Sequence, residues 1–298
     1  MMRMGLACMT WVLLAAAGGG VEATQQPDAG LVLTLTRTAP VVRTGDAVLV
    51  SVEASSPLTI LEGQAFGRPV TFWPAQDDRL WFGLVGIDME LAAGTYDLDV
   101  HAASANGAAQ GRMSLSVEER VLETRRIRVA DRFVSPSKDD TARILREAER
   151  LAIILAQSQP ARSWRGPFVF PVPGKPTSSF GRRTVTNNVP GGRHRGVDFQ
   201  AMVGTPVRAP NAGVVVLAED LYFTGKTVIV DHGGGIVSLF AHFSSLAVDE
   251  GMILSGGELL GYSGATGRVT GPHLHWAMRL ANANIDPLSL MSALRDVN

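Results

Sequence analysis

A single cysteine, three tyrosines and no excess of either charge are the first features of this 298-residue chain. The cysteine, Cys8, lies in the apolar N-terminal stretch, so the remainder of the chain has no thiol with which to form a disulfide. It must rely on packing or on a metal. A formal net charge of -1 leaves no electrostatic footprint for nucleic acid, and no basic run marks a membrane surface. The apolar stretch "GLACMTWVLLAAA" is too short for a comfortable membrane span. The helical H-E-x-x-H zinc signature is also missing. What remains is globular: 46% hydrophobic and 18% charged residues, enough for one large domain or two ordinary ones.

The N-terminus reads as an export signal over residues 1–23. Arg3 supplies the positive region, the apolar stretch follows, and Val21 and Ala23 place small residues at an A-x-A-like cleavage point. "GLAC" precedes the apolar run instead of following it, which argues against a lipid anchor. The expectation is an exported protein, periplasmic or secreted to the cell wall, with no membrane span once the signal is removed.

From about Leu31 to Val117, short alternating runs such as "LVLTLTRT", "DAVLVSVEA" and "GTYDLDVHA" are separated by turn residues. They predict an all-β sandwich over 29–118 with no cluster of reactive groups. His101 stands alone there and reads as a strand residue. A linker over 119–166 begins with the basic, strand-like "RVLETRRIRVADRF". It continues into a helix that Ser137 caps, with Asp140 three residues on and Pro160 as the stop. From 167 to 298 glycine-punctuated strands return, predicting a second, mostly antiparallel β domain. The fold class is therefore mainly β.

Five of the six histidines lie in that last region. In "HRGVD", His194 and Asp198 are four apart, an even spacing that puts both on one face of a strand. In "HLH", His273 and His275 are two apart, again on one face. Two such strands side by side gather three histidines and one carboxylate. Two histidines and one aspartate suit Zn²⁺ and leave a position open for water, as catalytic zinc sites require. A proton acceptor is still needed, and histidine titrates near neutrality. His242 in "LFAHFSS" and whichever of His273 and His275 does not bind metal are the candidates; spacing does not choose between the pair. His232, before a triglycine, reads as a hairpin residue. A rival pattern, "HGGG" with "GYSGA", places a nucleophile at Ser263. It fails on chain order, because no histidine follows His275 and Asp286 has no partner downstream.

The segment from about Phe168 to Asp286 resembles the M23 zinc metallopeptidases, the LytM-type or lysostaphin-like peptidases. "HRGVD" is similar to the family's H-x-G-x-D, "FAHFS" to its aromatic-A-H-L-S, and "GPHLHW" to its G-x-H-L-H-aromatic segment. "SSFGRR", "GTPVRAPNAGVV" and "GGELLGYSGATG" resemble its connecting strands. Phe243 departs from the usual leucine, a matter of packing and not of the metal. The resemblance implies zinc ligands His194, Asp198 and His275, catalytic histidines His242 and His273, and peptidoglycan peptides as substrate. It also implies an alternative, since some members act as autoinhibited or non-catalytic regulators and scaffolds of other cell-wall hydrolases. A lost ligand would mark that class, and none is lost here. The upstream domain or the "TVTNNVPGG" loop remains able to cover the site.

Overall fold

Alternation of apolar and polar residues becomes strands with one face inward. In Gly107–Glu118 the buried positions are Ala109, Met113, Leu115 and Val117, each two or four residues from the next. The computed structural model describes residues 24–27 and 30–297, apart from 40, 76, 123, 179 and 296. The export segment expected over 1–23 lies outside the described residues. No helix among the described residues is long and apolar enough to cross a membrane.

Strands dominate. The first part of the chain forms a six-stranded sheet and a four-stranded sheet. Leu33, Leu35, Val48 and Val50 from one meet Leu98, Val100, Met113 and Leu115 from the other in one shared core. The second part builds a ten-stranded sheet, antiparallel at every pairing. Its middle runs Gly196–Phe199, Leu274–Leu280, Ile236–Leu246, Gly225–Gly233, Gly213–Leu221.

The core of this large sheet does not stop at the expected domain boundary. Ala47, Leu49, Trp73 and Leu84 pack in the same apolar cluster as Phe199, Phe240, Trp276 and Leu280. Polar ties reinforce the contact. The Arg120 guanidinium donates to Asp46 and to Asp286, and the Arg162 guanidinium lies over both the Trp73 and Trp164 rings, which meet edge-on. Asp286 is largely buried; burial raises its carboxyl above the usual range, and the Arg120 charge opposes that shift.

The expected helix spans Lys138–Ala156, with Ser137 Oγ accepting from the Asp140 amide at its N-terminus. Leu151, Ile154 and Leu155 lie against Leu217, Leu221 and Ile229 on the large sheet. The basic segment before the helix differs from expectation. Only Arg125–Ile127 is strand, and Asp131–Phe133 closes into a single 3₁₀ turn. That short strand runs parallel to Arg183–Thr186, which pairs in turn with Val189–Arg193. The hairpin turns on Asn187 and Asn188, both at positive φ (48° and 67°). Asparagine tolerates this conformation better than most residues, as a two-residue turn of this type demands. The "TVTNNVPGG" segment is thus a hairpin with a strand of the linker against it.

Candidate metal centre

The Gly196–Phe199 strand sits beside Leu274–Leu280 in a register that sets Asp198 opposite His275. On its other side His275 faces Ala241. The register depends on Gly196. A Cβ there would collide with the carbonyl oxygen of Trp276 and lie 2.8 Å from Cε1 of His275. The glycine in "HRGVD" therefore lets the two strands pair closely with the His275 ring packed against its backbone. Below it, Trp276 is fully buried, stacks on Phe240 at 6.2 Å with rings 6° from parallel, and donates from Nε1 to Ser238 Oγ.

His194 departs from the spacing argument. It does not share a strand with Asp198; it occupies the two-residue interval between Val189–Arg193 and Gly196–Phe199. Its backbone is fixed instead by the entry segment: His194 N donates to the Arg182 carbonyl, and its own carbonyl accepts from Gly181 N. This tethered connecting segment, not a common strand face, brings its ring to Asp198.

Three atoms then converge. His194 Nε2 lies 3.1 Å from Asp198 Oδ1 and 3.0 Å from His275 Nδ1, and His275 Nδ1 lies 2.9 Å from Asp198 Oδ1. Hydrogen bonds do not satisfy such a triangle well, because a proton on either ring nitrogen points along one edge only. A cation at its centre satisfies all three at once. Zinc bonds of about 2.0–2.2 Å at tetrahedral angles give donor separations of about 3.3 Å, so the set fits after opening by a few tenths of an ångström. The donor chemistry, two imidazoles and a carboxylate, is that of a catalytic zinc site with a position left open. Burial by itself would raise the Asp198 carboxyl, but hydrogen bonds from His194 and His275 outweigh it and hold the group well below the usual carboxylate range. Burial pushes His275 down, favouring the neutral ring a metal needs.

His242 and His273 face the same space. Their ring centroids are 4.7 Å apart, and His242 is 6.1 Å from His275. Each donates Nδ1–H to a backbone carbonyl: His242 to Thr266 at 2.9 Å, His273 to Gly271 at 2.8 Å. Carbonyls only accept, so both rings are fixed in the tautomer that leaves Nε2 as the free atom. His273 Nε2 lies 3.9 Å from Asp198 Oδ1. Burial, then the neighbouring His275 and His273, push His242 down to about 3, so it is neutral near pH 7. Its backbone has φ of 70°, at a break in the register of Ile236–Leu246 with its neighbours. Backbone strain of this kind clusters at functional sites, and here it turns the ring out of the sheet. Thr224 O accepts from His242 N and holds the bend.

These side chains form the floor of a cleft of about 470 Å³. The Asn187 hairpin and Arg125 and Ile127 of the linker line it, as do Phe223, Arg268 and Thr270. The "TVTNNVPGG" segment, expected to be able to cover the site, lines the cleft as a hairpin; the linker strand was not legible as a cleft wall in the sequence, and Thr266, whose carbonyl orients His242, was missed. The glycines around it in "SGATGRVTG" were the available signal. Other singled-out residues lie apart. His232 is fully buried, donating Nδ1–H to the Ala212 carbonyl and accepting at Nε2 from Ser238. Ser263 is buried and donates to the Met202 carbonyl, and Asp286 caps the Pro287–Ala293 helix.

The profile of peptidase family M23 matches residues 192–287, which hold every residue of this cluster. A Pseudomonas aeruginosa protein assigned to peptidase M23 and solved by crystallography superposes with a TM-score of 0.64 at 30% identity, covering 85% of this chain and 95% of that one. Two curated relatives match over shorter stretches. The DD-carboxypeptidase/endopeptidase Mpg of Neisseria meningitidis is 40% identical over 97 residues, 33% of this chain and 22% of its own length. The peptidoglycan DD-endopeptidase ShyA of Vibrio cholerae is 41% identical over 85 residues, 28% of this chain and 20% of its own. These matches therefore span about a fifth of each curated relative.

Proposed function

Because the chain belongs to peptidase family M23, we propose that it is an exported, zinc-dependent endopeptidase hydrolysing peptide cross-links of bacterial peptidoglycan. The carrying observation is the triangle of His194 Nε2, Asp198 Oδ1 and His275 Nδ1 beside two histidines with free Nε2 atoms. The name of the Vibrio relative supports peptidoglycan as the substrate, and a wall substrate implies action outside the cytoplasm. With all three ligands and both histidines present, the non-catalytic alternative is not favoured.

His194, Asp198 and His275 would hold the metal. Zinc, when bound, supplies Lewis acidity: it polarises a carbonyl and lowers the pKa of water toward neutrality. The remaining chemistry belongs to the chain. His242, neutral near pH 7, or His273 accepts a proton at Nε2. The imidazolium so formed is a donor, able to stabilise a developing oxyanion or to protonate the leaving amine. The carbonyls of Thr266 and Gly271 keep each ring in the required tautomer and orientation. The cleft walls position the peptide and limit water.

The test is incubation of the full chain with purified peptidoglycan and identification of released fragments by mass spectrometry, with and without a chelator. New amino termini at cross-links, lost on chelation and restored by zinc, are expected. Intact peptidoglycan under every metal condition contradicts the reading.

A further inference from the structure

We propose that the cleft reads carboxylates on its ligand: Arg182, on the His194 side of the centre, and Arg268, on the His242 side, select an anionic peptide over a neutral one. The inference takes from the peptidase reading only that the ligand is a peptide.

The observation is an imbalance of charge. The ionised side chains lining the cleft are Arg125, Arg182, Arg193, Arg195 and Arg268 against the single acid Asp198. Asp198 is already committed to two imidazoles. Arg193 is matched by Glu119 at 3.0 Å and Glu90 at 3.7 Å. The other four arginines have no carboxylate partner among the described residues, although the chain as a whole carries as many acids as bases to within one. Surface ion pairs are common elsewhere on this chain, as between Arg112 and Asp99 or Arg150 and Glu219. Among the cleft arginines only Arg193 is so paired. A concave wall of one sign focuses its field and draws ligands of the opposite sign.

Two of these arginines are placed for recognition. The Arg182 carbonyl holds the His194 backbone, so this residue sits on the His194 side, and its Nε is enclosed with no acceptor. Arg268 comes from the loop that orients His242, two residues beyond Thr266. Its amide donates to the Phe223 carbonyl and its guanidinium lies over the Phe223 ring, 4.7 Å from the centroid. Phe223 is itself braced by Tyr222. Stacking fixes the plane of the fork and leaves its N–H edge for a ligand, the arrangement suited to bidentate binding of a carboxylate. A ligand lying across the centre meets one guanidinium on each side. A stem peptide bearing free carboxylates satisfies both, whereas a neutral glycine bridge satisfies neither.

The probe is a dye-labelled cross-linked stem-peptide dimer released from peptidoglycan, with its carboxylates either free or converted to amides. Binding to the full chain is measured by fluorescence anisotropy in the presence of a chelator, and hydrolysis is measured separately on the zinc-loaded chain. Amidation is expected to raise Kd by about tenfold or more at low salt, the usual weight of a hydrogen bond to a charged group. Added salt should shrink the difference. Arg268→Gln and Arg182→Gln should each weaken the acid form several-fold and leave the amide form unchanged. Arg268→Lys, which keeps charge but not the fork, should fall between. Equal Kd for acid and amide forms of the probe on the unaltered chain overturns the inference, as does a loss in the variants shared equally by both forms. Hydrolysis without carboxylate preference refutes the inference and leaves the peptidase reading standing. Preference without hydrolysis does the reverse.

Discussion

Asp198 Oδ1 and His275 Nδ1 lie 2.9 Å apart because their strands are neighbours in a register that sets these two residues opposite each other. A chain separation of 77 residues is thereby reduced to one cross-strand pair. Everything proposed for the centre depends on that pairing, and Gly196 permits it.

Gly196→Ala should consequently weaken both the fold and the metal site. The added methyl meets the Trp276 carbonyl and the His275 ring, so a strand must shift. Destabilisation of about 1–3 kcal/mol is expected, as for other overpacked positions. Zinc affinity, measured by competition with a chromogenic chelator, should drop in parallel. A variant with unchanged denaturation midpoint and unchanged affinity would show that the register does not need the glycine.

His242→Ala and His273→Ala should retain zinc and lose turnover by about 10²-fold or more, since groups acting on protons and oxyanions count mainly in the transition state. The decisive comparison is kcat against KM on a soluble fragment. A change confined to KM would assign these rings to substrate binding instead.

His232 gives the fold a pH dependence that lies outside the cleft. It is fully buried, accepts from Ser238, and burial pushes it from 6.5 down to about 4, opposed by its bond to Ala212 and by Asp231. Above the unfolded value both states are neutral and the residue contributes nothing. As pH falls from about 6.5 to about 4, the unfolded chain takes a proton that the native chain resists, so stability falls; below that range the loss is complete. Between pH 7 and pH 5 this amounts to about 2 kcal/mol. Denaturant titrations of the unaltered chain and of His232→Gln should show a shallower pH dependence in the variant. Parallel curves would remove His232 from the account.

Much of this fold was legible because strand alternation is a local property. Leu33 and Leu35, or Met113 and Leu115, declare an inward face whatever lies opposite. Partners are not declared. Nothing in "TRRIRV" indicates that Arg125–Ile127 lies along Arg183–Thr186, a contact between segments almost sixty residues apart that raises one wall of the cleft. The shared core across the expected boundary was hidden for a related reason. Ala47, Leu49, Trp73 and Leu84 look like the interior of their own sheets, and the pattern does not say which apolar face they meet. In the site, the residue types in "HRGVD" and "HLH" carried the chemistry, while the even-spacing argument misplaced His194. Its ring reaches Asp198 from an irregular segment tied to Gly181 and Arg182. The left-handed backbone of His242 left no trace in "FAHFS" beyond the histidine itself.

The most direct test of the central claim is the zinc content per chain, by elemental analysis, of the protein and of five single variants. About one zinc is predicted for the unaltered chain, for His242→Ala and for His273→Ala. Little or none is predicted for His194→Ala, Asp198→Ala and His275→Ala, because each removes one corner of the triangle. An unaltered chain that takes up no zinc, or a His273→Ala variant that loses it while His275→Ala keeps it, would contradict the account.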